Sequence, residues 1–241
     1  MTKSIVHRFV DADSVARNAA SDFLTHIKQL LAQKSEVHIM LTGGTVGIAT
    51  LAAISEDERC KDIDFTKVHF WWGDERFVAS DSPDRNSLQA YKALLSKIEV
   101  DVNKVHEFPA TDNGLLLDDA TAQFEATVKS IQPHFDMAFV GMGPDGHICS
   151  LFPGKPTPPV GRLIIAEHDS PKPPPQRLTF TYEAMNAVDQ IWFVVAGADK
   201  QDAVAVAMGD NPTDLPVGRI AGKVATHWYI DSTAGTTVFG C

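Results

Sequence analysis

Apolar residues recur along this chain at two spacings, one typical of helices and one typical of buried strands. Residues 14–34 carry apolar side chains four apart, and Asp13 or Ser14 can cap that helix. Other helices are predicted at 46–55, 86–97, 115–131 and 199–208. Short apolar runs between them predict strands at VHIML (37–41), VHFWW (68–72), DMAFV (136–140), 162–166, 177–182, QIWFVV (190–195) and 226–230. This alternation predicts an α/β fold with a mostly parallel sheet covered by helices on both faces.

A proline-rich segment at 153–175 holds 8 of the 14 prolines in the chain. Strand-like sequence continues on both sides of it, which favours a rigid loop over a boundary between domains. We therefore expect residues 1–241 to form a single domain.

Composition narrows the classes of partner. The formal net charge is −10, which does not favour nucleic acid or an anionic membrane as a partner. The cysteines (Cys60, Cys149 and Cys241) are widely spaced and odd in number, so we expect neither a disulfide framework nor a zinc site. The sequence MTKSIVHRFVDADS has no apolar core of a signal peptide. These features predict a cytoplasmic protein.

Unusual residues follow four of the predicted strands. They are Thr42-Gly43-Gly44-Thr45, Gly73-Asp74-Glu75-Arg76, GMGPDGHICSLFPG (141–154) and Gly197-Ala198-Asp199-Lys200. Ligands of open α/β sheets lie beyond the carboxyl ends of the strands, so these segments should converge on one site.

The four segments offer different chemistry. Thr42 to Thr45 supplies glycines, hydroxyls and a helix N-terminus, which together favour a phosphate group, and Lys200 could supply a matching positive charge. His147 is the best candidate general base, because imidazole titrates near neutral pH. Asp74 ends an apolar run, where a partly desolvated carboxylate suits acid–base or orienting work. The other histidines show no ligand spacing, and no metal site is expected.

Five motifs, in order, resemble those of the 6-phosphogluconolactonase family. They are LTGGTVG (41–47), FWWGDERFV (70–78), SPDRNS (82–87), GMGPDGHICSLFPG (141–154) and PPQRLTFTYEAMNAV (174–188), and Lys200 falls where the family has GxxK. The chain departs from the family pattern at Val46-Gly47 and Ile148-Cys149, where the family has Thr-Pro and Thr-Ala.

The resemblance implies a Rossmann-like fold and hydrolysis of 6-phospho-D-glucono-1,5-lactone in the oxidative pentose phosphate pathway, with no cofactor. It implies a small phosphorylated lactone as the partner, and a monomer or weak homo-oligomer. His147 would activate water, Asp145 or Asp74 would orient His147 or the sugar, and Arg76 would stabilise charge on the carbonyl oxygen. The substrate-binding residues would be Thr42, Gly43, Gly44, Thr45, Asn86, Arg177 and Lys200.

Two alternatives stay open at this stage. Glucosamine-6-phosphate deaminases share the GxxDGHI loop, although SLFPG here lacks the acidic residue that those enzymes carry. A non-catalytic sugar-phosphate sensor is the second alternative, although this chain shows no DNA-binding extension and keeps His147.

Overall fold

Six parallel strands form the central sheet in a computed structural model, which describes residues 3–236. The strands are β1 (Lys3–Phe9), β2 (Val37–Leu41), β3 (Val68–Trp72), β5 (Phe135–Val140), β8 (Gln190–Val195) and β9 (Ala225–Asp231). Their order across the sheet is β1-β9-β8-β5-β2-β3, and every neighbouring pair is parallel. All six residues of β5 are buried, as expected for a central strand covered on both faces.

The order of the strands reverses between β2 and β5. The chain runs from β2 outward to β3, returns to β5 and then continues to β8 and β9 in the other direction. Because crossovers between parallel strands are right-handed, this reversal places helices on both faces of the sheet. The predicted mostly parallel, Rossmann-like α/β fold is confirmed, and its switch point between β2 and β5 is where such sheets bind ligands.

Six helices connect the strands within the described residues. They are α1 (Ala12–Leu31), α2 (Thr45–Glu56), α3 (Asn86–Ala93), α4 (Leu117–Ile131), α5 (Tyr182–Met185) and α6 (Gln201–Ala207). Helix α1 buries Val15, Ala19, Phe23 and Ile27. The predicted cap at Asp13 or Ser14 is wrong, because the helix begins earlier. Asp11 is the cap, and its carboxylate accepts a hydrogen bond from Ser14 N at 2.8 Å.

Two of the predicted strands lie outside the parallel sheet. Strands β6 (Ile164–Glu167) and β7 (Arg177–Phe180) pair antiparallel with each other, and β7 pairs antiparallel with the short strand β4 (Asp74–Arg76). The segment after VHFWW is therefore a strand of a second sheet. This small sheet holds Asp74, Arg76 and Arg177 near the carboxyl end of β3.

Cys60 and Cys149 are free thiols in the structure, and Cys241 lies outside the described residues. Within residues 3–236, no helix combines the length and apolar character needed to cross a bilayer.

Candidate active site

The segments that follow β2, β3, β5 and β8 surround a cavity of about 490 Å³. The predicted convergence of these four segments is confirmed. Asp145 lies behind His147 rather than on the wall, and the other predicted site residues all line the cavity: Thr42, Gly43, Gly44, Thr45, Asp74, Arg76, Asn86, His147, Arg177 and Lys200.

The N-terminus of α2 forms one wall of the cavity. Gly44 precedes the helix with a φ of 80° and has no side chain with which to cap the first turn. The first backbone N–H groups of α2 and its dipole therefore favour an anion here. A Cβ atom at Gly43 would lie 2.0 Å from Asn86 Oδ1, so this close approach requires glycine. Lys200 lines the same cavity, and its Nζ lies 2.8 Å from Asp199 Oδ2.

His147 and Asp145 form a hydrogen-bonded pair in the loop after β5. His147 Nδ1 lies 2.5 Å from Asp145 Oδ1. Gly143 N donates to His147 O at 2.9 Å, which closes the loop, and a Cβ atom at Gly143 would lie 2.0 Å from the imidazole. Burial lowers the pKa of His147, whereas the Asp145 carboxylate raises it. A neutral imidazole that donates from Nδ1 to Asp145 keeps Nε2 as a proton acceptor.

Asp74 has different partners. Its side chain is buried, and its Oδ2 accepts a hydrogen bond from Ser150 Oγ at 2.6 Å. Asn86 Nδ2 donates to the backbone oxygen of Asp74 at 2.9 Å. The sequence left open which carboxylate orients His147. In the structure Asp145 contacts the imidazole, whereas Asp74 joins the loop after β5 to the segment after β3.

Glu75 fixes the backbone that presents Arg76 and Asn86. Its fully buried carboxylate accepts hydrogen bonds from the backbone N–H groups of Arg76, Asn86 and Ser87, at 2.8, 2.7 and 2.9 Å. Arg76 Nη1 donates to Asp84 O at 2.5 Å, and Arg76 Nε is buried with no hydrogen-bond partner among the described residues. A buried donor without a partner beside a cavity is a candidate contact for a ligand.

Lys172 is a cavity residue that sequence reasoning missed. It comes from the proline-rich segment, and its Nζ lies 3.5 Å from His147 Nδ1 and 3.8 Å from Asp145 Oδ1. Arg177 supports the same segment, because Nε donates to Pro174 O at 3.1 Å and Nη2 donates to Lys172 O at 2.9 Å. These bonds leave Nη1 of Arg177 without a protein acceptor among residues 3–236.

Cys149 also lines the cavity, in the left-handed region with a φ of 49°. Burial raises the pKa of its thiol well above the ordinary value, which keeps the sulfur protonated. The sequence interpretation of Cys149 as a packed small residue, and not a nucleophile, agrees with this environment.

The structure also groups His134, Asp136 and Asp189, with ligand atoms within 4.8 Å of one another. These residues show no spacing in the sequence that would indicate a cluster. Asp136 is already engaged by the ammonium group of Lys34 and by His38 N at 2.8 Å, and His134 Nε2 lies 2.7 Å from Asp189 Oδ2. None of the three lines the cavity described above.

Comparison with known proteins decides the family. Residues 10–228 match the family model described as glucosamine-6-phosphate isomerases/6-phosphogluconolactonase. The chain belongs to this family.

Members of the family named for one activity are similar to nearly the whole chain. The 6-phosphogluconolactonase of Mycobacterium tuberculosis is 37% identical over 96% of this chain and 97% of its own length. The 6-phosphogluconolactonase of Streptomyces coelicolor is 36% identical over 96% of this chain and 93% of its own.

Solved structures of the family have the same fold. The crystal structure of 6-phosphogluconolactonase from Thermotoga maritima has a TM-score of 0.83 at 25% identity and covers 95% of this chain and 100% of its own. A monomeric glucosamine-6-phosphate deaminase has a TM-score of 0.79 at 19% identity and covers 96% of this chain and 98% of its own. The second likeness shows the fold alone.

Proposed function

We propose that this protein hydrolyses 6-phospho-D-glucono-1,5-lactone to 6-phospho-D-gluconate, the lactonase step of the oxidative pentose phosphate pathway. The relatives named 6-phosphogluconolactonase, at 36–37% identity over nearly the full chain, support this activity. One observation carries the proposal: the His147–Asp145 pair and the uncapped N-terminus of α2 face the same cavity. A base and an anion site in one cavity suit a substrate with a phosphate at one end and a carbonyl at the other.

The 6-phosphate binds at the N-terminus of α2. The N–H groups of the first turn and the hydroxyls of Thr42 and Thr45 donate hydrogen bonds to its oxygens. Lys200 supplies positive charge, and Arg177 can add a donor through Nη1. Because the phosphate is remote from the bond that breaks, its binding energy orients the lactone against His147.

His147 acts as the general base. Its Nε2 takes a proton from a water molecule as the water oxygen attacks C1 of the lactone. Charge develops on the former carbonyl oxygen, and Arg76 stabilises that charge with the donor that the protein leaves unpaired. Asp145 holds the ring through Nδ1 and stabilises the imidazolium that forms.

The intermediate collapses when the bond between C1 and the ring oxygen breaks. His147 returns the proton from Nε2 to that leaving oxygen, so the ring opens to a hydroxyl and a carboxylic acid. The acid then ionises, because its pKa lies far below neutral pH. The net change is the addition of one water molecule, and His147 ends in its starting state.

We also propose where the enzyme works and how it assembles. Residues 1–241 work as one domain in the cytoplasm, as a monomer or weak homo-oligomer without nucleic acid or membrane partners. The net charge of −10 supports the last point. Light scattering after gel filtration tests the oligomeric state, and a stable large assembly would contradict it.

The experiment that tests the activity follows lactone hydrolysis directly. 6-Phosphogluconolactone is generated in situ, the spontaneous rate is subtracted, and wild type is compared with His147→Ala. We expect kcat to fall on the order of 10²–10⁴-fold in the variant. His168→Ala, at an exposed histidine outside the cavity, serves as the matched control.

The wild-type rate and the His147→Ala rate test the substrate and the general base separately. A folded His147→Ala variant with the full rate would remove the general base from the mechanism. A wild-type rate no higher than the spontaneous rate would overturn the lactonase assignment, and glucosamine 6-phosphate would then be tested as a substrate.

A further inference from the structure

Lys172 is anchored beside the His147–Asp145 pair by its own backbone. Lys172 N donates to Ser170 Oγ at 3.2 Å, and Ser170 Oγ donates to Lys172 O at 2.9 Å. Arg177 Nη2 donates to the same carbonyl at 2.9 Å. Ser170 and Arg177 are both buried. These bonds fix the backbone around Lys172, and from it the side chain reaches His147, with Nζ 3.5 Å from Nδ1.

Aromatic packing links the same residues. The Phe152 ring centroid lies 4.7 Å from that of the His147 ring, with the two rings tilted by 35°. The Arg177 guanidinium lies 5.8 Å from the same Phe152 centroid. Phe152 thus ties the anchor of Lys172 to the imidazole. Movement of this segment would disturb both the base and the cation beside it.

The charged groups around His147 have opposite effects on the protonation of its ring. The Asp145 carboxylate, 2.5 Å from Nδ1, favours the imidazolium, and Asp74 acts in the same direction from farther away. Lys172 favours the neutral ring, as does the burial of His147. The remaining charged groups on the cavity walls are Arg76, Arg177, Asp199 and Lys200.

We propose that Lys172 is a positioning residue for the base of the proposed lactonase reaction: its ammonium group keeps the His147 imidazole neutral and able to accept a proton. This inference rests on the proposed function. A protonated His147 cannot take a proton from water, so a carboxylate beside the ring narrows the pH range in which the base works, and the Lys172 ammonium adds to burial in opposing that effect. Lys172 balances Asp145, which can then hold the ring without fixing a proton on Nε2.

Two variants separate charge from packing. Lys172→Met removes the charge and keeps most of the side-chain volume, whereas Lys172→Arg keeps the charge. Lys92→Met, at an exposed position on α3, controls for the general loss of one positive charge. The titration of His147 is followed by NMR of the ring carbons and nitrogens, with the signals assigned from a His147→Gln spectrum.

We expect the midpoint of the His147 titration to rise by about one pH unit in Lys172→Met. The acid limb of the pH profile of kcat/KM should move to higher pH by the same amount in this variant. Its activity should therefore fall roughly tenfold below the midpoint and recover above it. Lys172→Arg and Lys92→Met should titrate as wild type does. A purely structural role for Lys172 would lower the rate at every pH and leave the limb in place.

The NMR titration keeps this inference distinct from the proposed function. If wild type hydrolyses no lactone but Lys172→Met still raises the midpoint, the effect of Lys172 on His147 stands and the substrate is wrong. An unchanged midpoint in a folded Lys172→Met protein overturns the inference, even if KM rises. That result would assign Lys172 to substrate contact.

Discussion

Replacement of Gly143 by alanine would put a methyl group where the His147 ring now lies. The added Cβ would be 2.0 Å from His147 Nδ1 and Cε1 and 2.5 Å from Asp145 Oδ1. Gly143 has no positive φ, so the backbone itself accepts alanine. The perturbation therefore acts on the imidazole and its carboxylate, and not on the turn.

The size of the effect follows from the distance. Ordinary van der Waals contact begins at 3.4 Å, so the ring must retreat by roughly 1.4 Å. A displacement of about 1 Å of a catalytic group costs on the order of 10²-fold in rate. We expect kcat/KM to fall at least that much, which corresponds to about 2.7 kcal/mol of lost transition-state stabilisation.

The assay is lactone hydrolysis with the spontaneous rate subtracted, at several pH values. Gly141→Ala is the matched control in the same loop, because its Cβ would lie 3.6 Å from Thr42 Oγ1 and 3.8 Å from Gly43 O. That control should lose only a few-fold in rate. A folded Gly143→Ala protein with wild-type kcat/KM would refute the requirement for His147 at its present position.

Three further predictions concern binding and stability. Lys200→Ala should lower kcat/KM for the lactone on the order of tenfold or more, because a charge-assisted contact to the remote phosphate is lost. An unchanged kcat/KM in steady-state kinetics would contradict this role. Glu75→Gln should lower the free energy of unfolding in urea by about 1–3 kcal/mol, because its fully buried carboxylate accepts three backbone N–H groups that an amide cannot all satisfy; unchanged stability would contradict it. Burial lowers the pKa of His38, His106 and His227 from 6.5 to about 4, so the unfolded chain binds protons first as pH falls. The free energy of unfolding should therefore fall between about pH 6.5 and pH 4, by about 1–3 kcal/mol per histidine. His106→Asn should reduce this fall, as measured by urea unfolding at several pH values. An equal fall in wild type and variant would contradict this account.

Continuous apolar runs made the central strands predictable. Strands β2, β3 and β8 begin and end at the predicted residues, because strands buried on both faces leave a strong signal in the sequence. Strand β1 was not predicted. Its sequence KSIVHRF carries three basic or titratable side chains and leaves four of its seven positions exposed, as suits an edge strand.

The site was predictable wherever its residues follow strands of the parallel sheet. His147, Thr42 and Lys200 were found in this way. Lys172 was not, because it stands among prolines 25 residues from His147 in the chain. Its position depends on how buried Arg177 and Ser170 fold the loop back over the cavity, and no local pattern in the sequence reports that path. The sequences of β6 and β7 predicted strands but did not indicate that these strands form a separate sheet with β4.

The pairing of β1 with β9 has a consequence for synthesis of the protein. Residues Lys3–Phe9 lie beside Ala225–Asp231, and β1 has its place at the edge of the sheet through that strand alone. Strand β1 is therefore translated long before β9 and has no partner strand until β9 has been made. During that time its backbone N–H and C=O groups are open to other chains. We expect nascent or C-terminally truncated chains to depend on chaperones more than a protein whose early strands pair with each other.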